Sequence, residues 1–328
     1  MGKASNFIPA LKYGHKIYPE DLSGMLGLPA VGDIYYVDPS GGSDSSSGKT
    51  RDDAFATVAA AYAVCVSGNH DVVVIAPTGG TGRTAETTAI TWAKRFTHLI
   101  GSAAPTAQDA RAGMSFSGTT GTATGSFTLS ENGCIFRNLT LTTTDDNNSF
   151  VTVSGDYNSF QGVDFKGALN ATSGDDTASR ALVLSGAQEN LFAGCTFGAD
   201  TFMRSAANYT VEFASAASRN VFDDCRFIMA SDATTPRHVY FSEANSIDRW
   251  VEFKDCTWYN FTTNDTAQIA AAMNLATQTT TGHVLLTGEN MLVGIDNWES
   301  TASGRIWIKQ STATANAAGQ AITPTVDL

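Results

Sequence analysis

A short motif returns along the chain and limits what it can become. It reads Asn158-Ser-Phe160-Gln-Gly-Val163-Asp-Phe165, then Asn190-Leu-Phe192-Ala-Gly-Cys195-Thr-Phe197. It comes back as Asn220-Val-Phe222-Asp-Asp-Cys225-Arg-Phe227 and Val251-Glu-Phe253-Lys-Asp-Cys256-Thr-Trp258. Degenerate copies stand at Phe136-Arg-Asn-Leu139-Thr-Leu141 and Asn290-Met-Leu292-Val-Gly-Ile295. From the first Phe or Leu of each copy, the steps are 24, 32, 30, 31 and 39 residues. A period of this size is the mark of a repeat architecture.

A second alternating segment precedes most copies: Val151-Thr-Val153, Leu182-Val-Leu184, Val211-Glu-Phe213, Val239-Tyr-Phe241 and Val284-Leu-Leu286. Turn-forming Ser, Gly, Asp and Asn separate the two. One such unit cannot bury its own apolar face, whereas stacked units bury a continuous core. The expectation is an all-β, single-stranded parallel β-helix. Phe160, Phe192, Phe222 and Phe253 should form one inward column, Val163, Cys195, Cys225 and Cys256 a second, and Phe165, Phe197, Phe227 and Trp258 a third. In this reading cysteine acts as a small buried hydrophobe. Asn158, Asn190 and Asn220 form an amide ladder at the turn.

Upstream, Ile34-Tyr-Tyr-Val37-Asp38 leads through a Ser/Gly-rich run into Ala54-Phe55-Ala-Thr-Val58-Ala-Ala-Ala-Tyr62-Ala-Val-Cys65. Phe55, Val58, Tyr62 and Cys65 share one helical face. This predicts a capping helix near 53–66, with Asp52 or Asp53 as N-cap and Gly68-Asn69 as the stop. A Val72–Pro77 strand follows. The run from Tyr36 to Pro77 resembles the opening segment of the pectate-lyase-like right-handed parallel β-helix superfamily. Taken with the repeats, the resemblance spans about residues 34–305. It implies a right-handed solenoid whose open end the helix blunts.

Residues 1–33 lie outside the repeat. Phe7, Ile8, Leu11, Tyr13, Ile17, Tyr18, Leu22, Met25, Leu26 and Leu28 stand among Gly and Pro without periodicity. Such a segment reads as an apolar arm that docks on another surface, either a partner or its own solenoid. Residues 306–328 are small and polar and read as a tail. The Met-Gly-Lys-Ala-Ser-Asn start has no apolar core of a signal peptide.

Charge excludes several functions. Lys and Arg number 20 against 32 Asp and Glu, a formal net charge of −12, so a nucleic-acid partner is not expected. No apolar run reaches the roughly 20 residues of a membrane-spanning helix. Five cysteines without a Cys-x-x-Cys pair, and five dispersed histidines, predict no metal and no cofactor.

Enzymes of the resembling superfamily act on polysaccharides from an outer sheet face, where hydrolases need converging carboxylates. The outward positions read Thr152, Val183, Glu212, Tyr240 and Leu285 on one strand column, and Asp164, Thr196, Arg226 and Thr257 on the other. Only Glu212 is acidic in the first column, with Arg226 as its expected neighbour. Asp223-Asp224 and Lys254-Asp255 stack at turns, as solvated residues. No catalytic residues are assigned. Val183, Tyr240 and Leu285 form an apolar outward strip, the expected contact face of a homotrimer.

The chain is similar in these respects to β-helix decoration or cement proteins of tailed bacteriophages. That resemblance implies a non-enzymatic virion protein made in the host cytoplasm. Its arm (Phe7, Ile8, Leu11, Tyr13, Ile17, Tyr18, Leu22) would grip the major capsid protein. The alternative is a phage tailspike or fibre that binds or depolymerises host glycan. A third class, a secreted polysaccharide lyase or hydrolase, requires an export signal and a catalytic cluster, and neither is visible.

Overall fold

A computed structural model of the chain describes residues 32–117, 126–144, 149–167, 170–262, 268–279, 281–299 and 303–308. The arm residues Phe7 to Leu22 lie outside this set. The chain winds as a parallel β-solenoid with three faces. Ten strands stack on the first face: Ile34–Val37, Val72–Ile75, His98–Gly101, Ile135–Thr143, Ser159–Phe165, Leu191–Ala193, Val221–Asp223, Trp250–Lys254, His283–Thr287 and Ile306–Ile308. Seven form a separate sheet: Ile90–Trp92, Phe127–Leu129, Ser149–Val153, Arg180–Ser185, Tyr209–Ala214, Arg237–Phe241 and Met273–Asn274. The third face is hydrogen-bonded to the first through the long strands Ile135–Thr143 and Ser159–Phe165. It also holds Arg83–Glu86, Gly113–Phe116, Thr196–Arg204, Arg226–Ser231, Thr257–Phe261 and Met291–Val293.

The repeat sets the register. Phe136, Phe160, Phe192, Phe222 and Phe253 are direct partners from rung to rung. Their rings stack with centroids 5.1, 4.7, 4.6 and 4.8 Å apart. Phe165, Phe197, Phe227 and Trp258 form the parallel ladder on the third face, at 5.1, 5.1 and 4.0 Å. All eight of these repeat rings from Phe160 onward are wholly buried. Each contributes roughly 2–3 kcal/mol of burial, plus about 1 kcal/mol per stacked pair.

Two boundaries differ from the sequence expectation. The last copy was aligned with Leu292 in the Phe253 column, but Leu286 occupies that position and Leu292 pairs with Trp258 on the third face. Val284–Leu286 is therefore a first-face strand, and Met273–Asn274 takes the seven-strand position before it. The polar tail also begins later than residue 306, because Ile306–Ile308 pairs in register with Val284–Leu286.

The helix runs only over Val58–Val64, capped by the Thr57 hydroxyl on the Ala60 amide rather than by Asp52 or Asp53. Phe55 bridges to Val37 as strand, its amide donating to the Tyr36 carbonyl at 2.9 Å, so the helix cannot start before it. It ends at Cys65, whose ψ of 151° is extended, before Gly68 is reached. The Glu86 carboxylate, 2% exposed, accepts from the Val58 amide at 2.8 Å and the Thr84 hydroxyl at 2.6 Å. Burial raises its pKa against these hydrogen bonds.

Candidate functional site

On the seven-strand sheet, Thr152, Val183, Glu212, Tyr240 and Asn274 form one outward column. The expected strip loses Leu285, which lies on the first face between Glu252 and Trp307. Glu212 does not meet Arg226 either, since Arg226 pairs with Thr196 and Thr257 on the third face. Its partner is Arg180, whose Nε lies 2.6 Å from the carboxylate, with both side chains largely buried. The guanidinium also stands over the Tyr209 ring, 4.6 Å from its centroid. Tyr209 stacks on Tyr240 at 4.1 Å and accepts a hydrogen bond from Asn274 Nδ2 at 2.9 Å.

Sequence alternation missed Arg180 and Tyr209 because it places them on the same side as Leu182 and Val211. The intervening Ala181 and Thr210 are buried at the corner, so two consecutive residues point inward there and the outer ones turn out.

The expected outward column Asp164, Thr196, Arg226 and Thr257 is in register, but segment 107–110 covers its first members. Asp164 accepts from the Ala110 amide at 3.3 Å and the Thr140 hydroxyl at 3.1 Å, and Thr196 donates to the Ala107 carbonyl at 2.6 Å. Asp109 on the same segment pairs with Arg83 and with Lys166 Nζ, the latter at 2.9 Å. Desolvation pushes the Asp164 pKa up to about 6, against the hydrogen bonds and nearby Lys166. Two carboxylates and two cations thus meet under a covering segment. Both cations pair with Asp109, and Asp164, 3% exposed, takes its direct contacts from hydrogen bonds.

The turn acids are structural. Lys254 Nζ lies 2.9 Å from Asp223, while Asp224 and Asp255 adopt φ of +50° and +53° at the bends. Among the described residues no three His, Cys, Asp or Glu group as a metal site, and no helix is long and apolar enough to cross a membrane.

A groove of about 560 Å³ opens at the last rungs of the first face. It is lined by Asp248, Arg249, Trp250, Thr281, His283, Leu285 and Trp307. Trp250 pairs with His283 and Leu285 with Trp307, so the two tryptophans stand two rungs apart and two residues out of register, about 12 Å between backbone positions. Trp307 Nε1 donates to His283 Nδ1 at 3.0 Å, which leaves the His283 proton on Nε2. Arg249 donates to the Asp248 carbonyl at 3.2 Å and is 3.5 Å from its carboxylate, with the guanidinium side chain 61% exposed. The lining thus combines two tryptophans, the aliphatic Leu285 and polar groups at Asp248, Arg249, Thr281 and His283. Leu285 serves here rather than in the seven-strand strip.

No protein-family model matches the chain. No curated protein matches it either. Several solved structures are similar to it. A pectin methylesterase mutant in complex with a hexasaccharide is 14% identical, matched over 89% of this chain and 75% of that one, with a TM-score of 0.40. The ORF18 protein of Geobacillus virus E2 is 13% identical, over 85% of this chain, with a TM-score of 0.36. The match spans 61% of the viral chain, less than two thirds of its length. A rhamnogalacturonan lyase is 15% identical over 78% of this chain and 67% of that one, with a TM-score of 0.31.

Proposed function

We propose that the protein is a virion structural solenoid of the tailspike or fibre kind, which holds a host-surface glycan in the groove between Trp250 and Trp307. The observation that carries this reading is the groove itself. Flat aromatic faces accept the C–H side of a pyranose ring, and a rim arginine and carboxylate suit its hydroxyls. Arg249 is well exposed and tethered by one neighbour, so it is free to reorient toward a ligand.

The test is binding of the full-length protein to purified lipopolysaccharide O-chains and capsular polysaccharides, with Trp307→Ala and Trp250→Ala beside it. The reading expects at least one polysaccharide to bind and each substitution to weaken it tenfold or more. Binding unchanged in both variants, or binding to none of the panel by the wild type, would sink it.

A second reading, capsid decoration, has its own support in Val183 and Tyr240. Both are half-buried and share one outward column, with Glu212 between them, and would serve as the subunit contact of a homotrimer. In that reading the arm engages the major capsid protein. Copy number per purified particle separates the two: hundreds of copies favour decoration, and up to some tens favour the tail.

A further inference from the structure

At the corner between the third face and the seven-strand sheet, two polar side chains turn into the core. Thr196–Arg204 pairs with Arg226–Ser231, and the register slips between Ala199 and Met203, which sets Arg204 opposite Ser231. Ser231 is wholly buried and Arg204 is 3% exposed. On the seven-strand sheet Tyr209 pairs with Arg237 and Val211 with Val239, so Thr210 faces His238, and both are wholly buried. Described residues enclose them. The His238 and Val239 amides donate to the Ala272 carbonyl, and the Phe227 and Trp258 rings stand 6.2 and 5.9 Å from the imidazole.

Arg204 remains charged at neutral pH, since burial lowers its pKa only to about 10. Both of its hydrogen bonds leave Nη1, to Asn208 Oδ1 at 3.5 Å and to Thr210 Oγ1 at 3.2 Å. These acceptors are neutral, and among the described residues no carboxylate pairs with the guanidinium. The charge that acts on it is a second cation, Arg180, itself engaged by Glu212. A buried charge without a counter-charge is strongly unfavourable.

His238 adds orphaned donors beside it. Among the described residues, neither of its ring nitrogens nor Trp258 Nε1 has a partner in hydrogen-bond geometry. Desolvation, with Arg204 adding to it, holds the imidazole well below its ordinary pKa against the pull of the nearby Tyr259 backbone. The ring is therefore neutral and has one N–H to donate.

We propose that one small monovalent anion, a chloride in ordinary buffers, is bound in the core between Arg204 and His238. It takes its donors from the free edge of the guanidinium and from the imidazole N–H. One charge has to be balanced, which calls for a monovalent ion. Water would fill the space but leave that charge uncompensated. An added Cβ at Gly198 would come 3.4 Å from Arg204 Nη2 and 3.1 Å from the Thr210 methyl. Backbone thus already stands close to the guanidinium, and a monatomic ion suits the site better than an oxyanion. The site makes the halide a structural part of the corner that joins two faces of the solenoid.

The inference does not rest on the glycan reading. Its test unfolds the full chain in urea and refolds it in bromide, so that the ion can enter before the core closes. Crystals of this protein are then measured at the bromine absorption edge. The expected result is an anomalous peak in contact with Arg204 and His238. Water at that position, or bromide bound only on the surface, overturns the inference. In solution, chloride replacing gluconate at constant ionic strength should lower the unfolding equilibrium constant about tenfold and then saturate. Arg204→Met removes the charge that the anion balances and should abolish this dependence. The same dependence in Arg204→Met, or none in the wild type, overturns the inference as well. Where the methionine variant does not fold, the bromide crystal decides alone.

Discussion

Asn220 Oδ1 accepts two hydrogen bonds from Asn190, one from its backbone amide at 3.0 Å and one from its side-chain amide at 3.1 Å. Asn190 Oδ1 in turn accepts from the Asn158 amide at 2.8 Å, and Asn190 Nδ2 reaches the Gly155 carbonyl at 3.1 Å. The residue is 1% exposed, so no water replaces these partners. Asn190→Ala leaves a buried N–H and a buried carbonyl unpaired, at a cost of about 3 kcal/mol. Urea unfolding should show a lower midpoint with an unchanged slope, and Asn190→Asp should be at least as damaging. An alanine variant within 0.5 kcal/mol of wild type would show that the ladder is not a stabilising element.

The same amide chemistry explains where sequence reasoning succeeded and where it slipped. The Phe160 and Phe165 ladders and the Asn ladder were legible because stacked rungs repeat both identity and spacing. The last copy was misplaced because Asn290 does the work of Asn158 one bend further along, its Oδ1 accepting from the Cys256 amide at 3.1 Å. Both bends need a strand's first N–H satisfied, so one residue type marks two positions. The Trp250–Trp307 groove was not legible at all. It joins residues from three rungs, and only the corrected register brings Leu285 and Trp307 side by side. Arg180 was hidden by the corner at Ala181, where strict alternation fails.

The cysteine column predicts inert thiols. Cys195, Cys225 and Cys256 each donate to the carbonyl of the ring residue one rung back, Phe160, Phe192 and Phe222, at 3.4, 3.3 and 3.4 Å. All five cysteines are free and buried. Burial pushes the Cys65 thiol up to about 12 and raises that of Cys225. The thiolate is the reactive form, so a disulfide reagent should label no thiol in the native protein and all of them in guanidinium. Fast native labelling of any cysteine from the repeat would contradict the packing described here.

Arg180 and Glu212 offer a test of coupling. Each is mostly shielded from solvent, with side-chain exposures of 9% and 19%. Removing either partner strands the other's charge beside Tyr209 and Tyr240, which costs about 3 kcal/mol. Replacing both with apolar residues of similar volume, Arg180→Met with Glu212→Leu, should cost less than either single change. A double-mutant cycle in chemical denaturation reads the difference. Strict additivity would mean that the pair does not act as a unit.

Two buried groups set opposing pH dependences. His98 is lowered from 6.5 to about 4, chiefly by desolvation with His70 adding to it, so its contribution is complete above pH 6.5 and is lost as pH falls toward 4. Asp164 is raised from 3.8 to about 6 by desolvation, so its contribution is complete below pH 3.8 and is lost as pH rises through 6. The shifts are similar in size, each worth about 3 kcal/mol, and they offset one another across the shared window. Each substitution should therefore uncover the other group. Relative to wild type, Asp164→Asn should gain stability as pH rises from 4 to 6.5, while His98→Gln should gain as pH falls over the same range. Urea unfolding at pH 4.5, 5.5 and 6.5 measures both slopes. Parallel slopes in the two variants would show that one of these groups meets solvent.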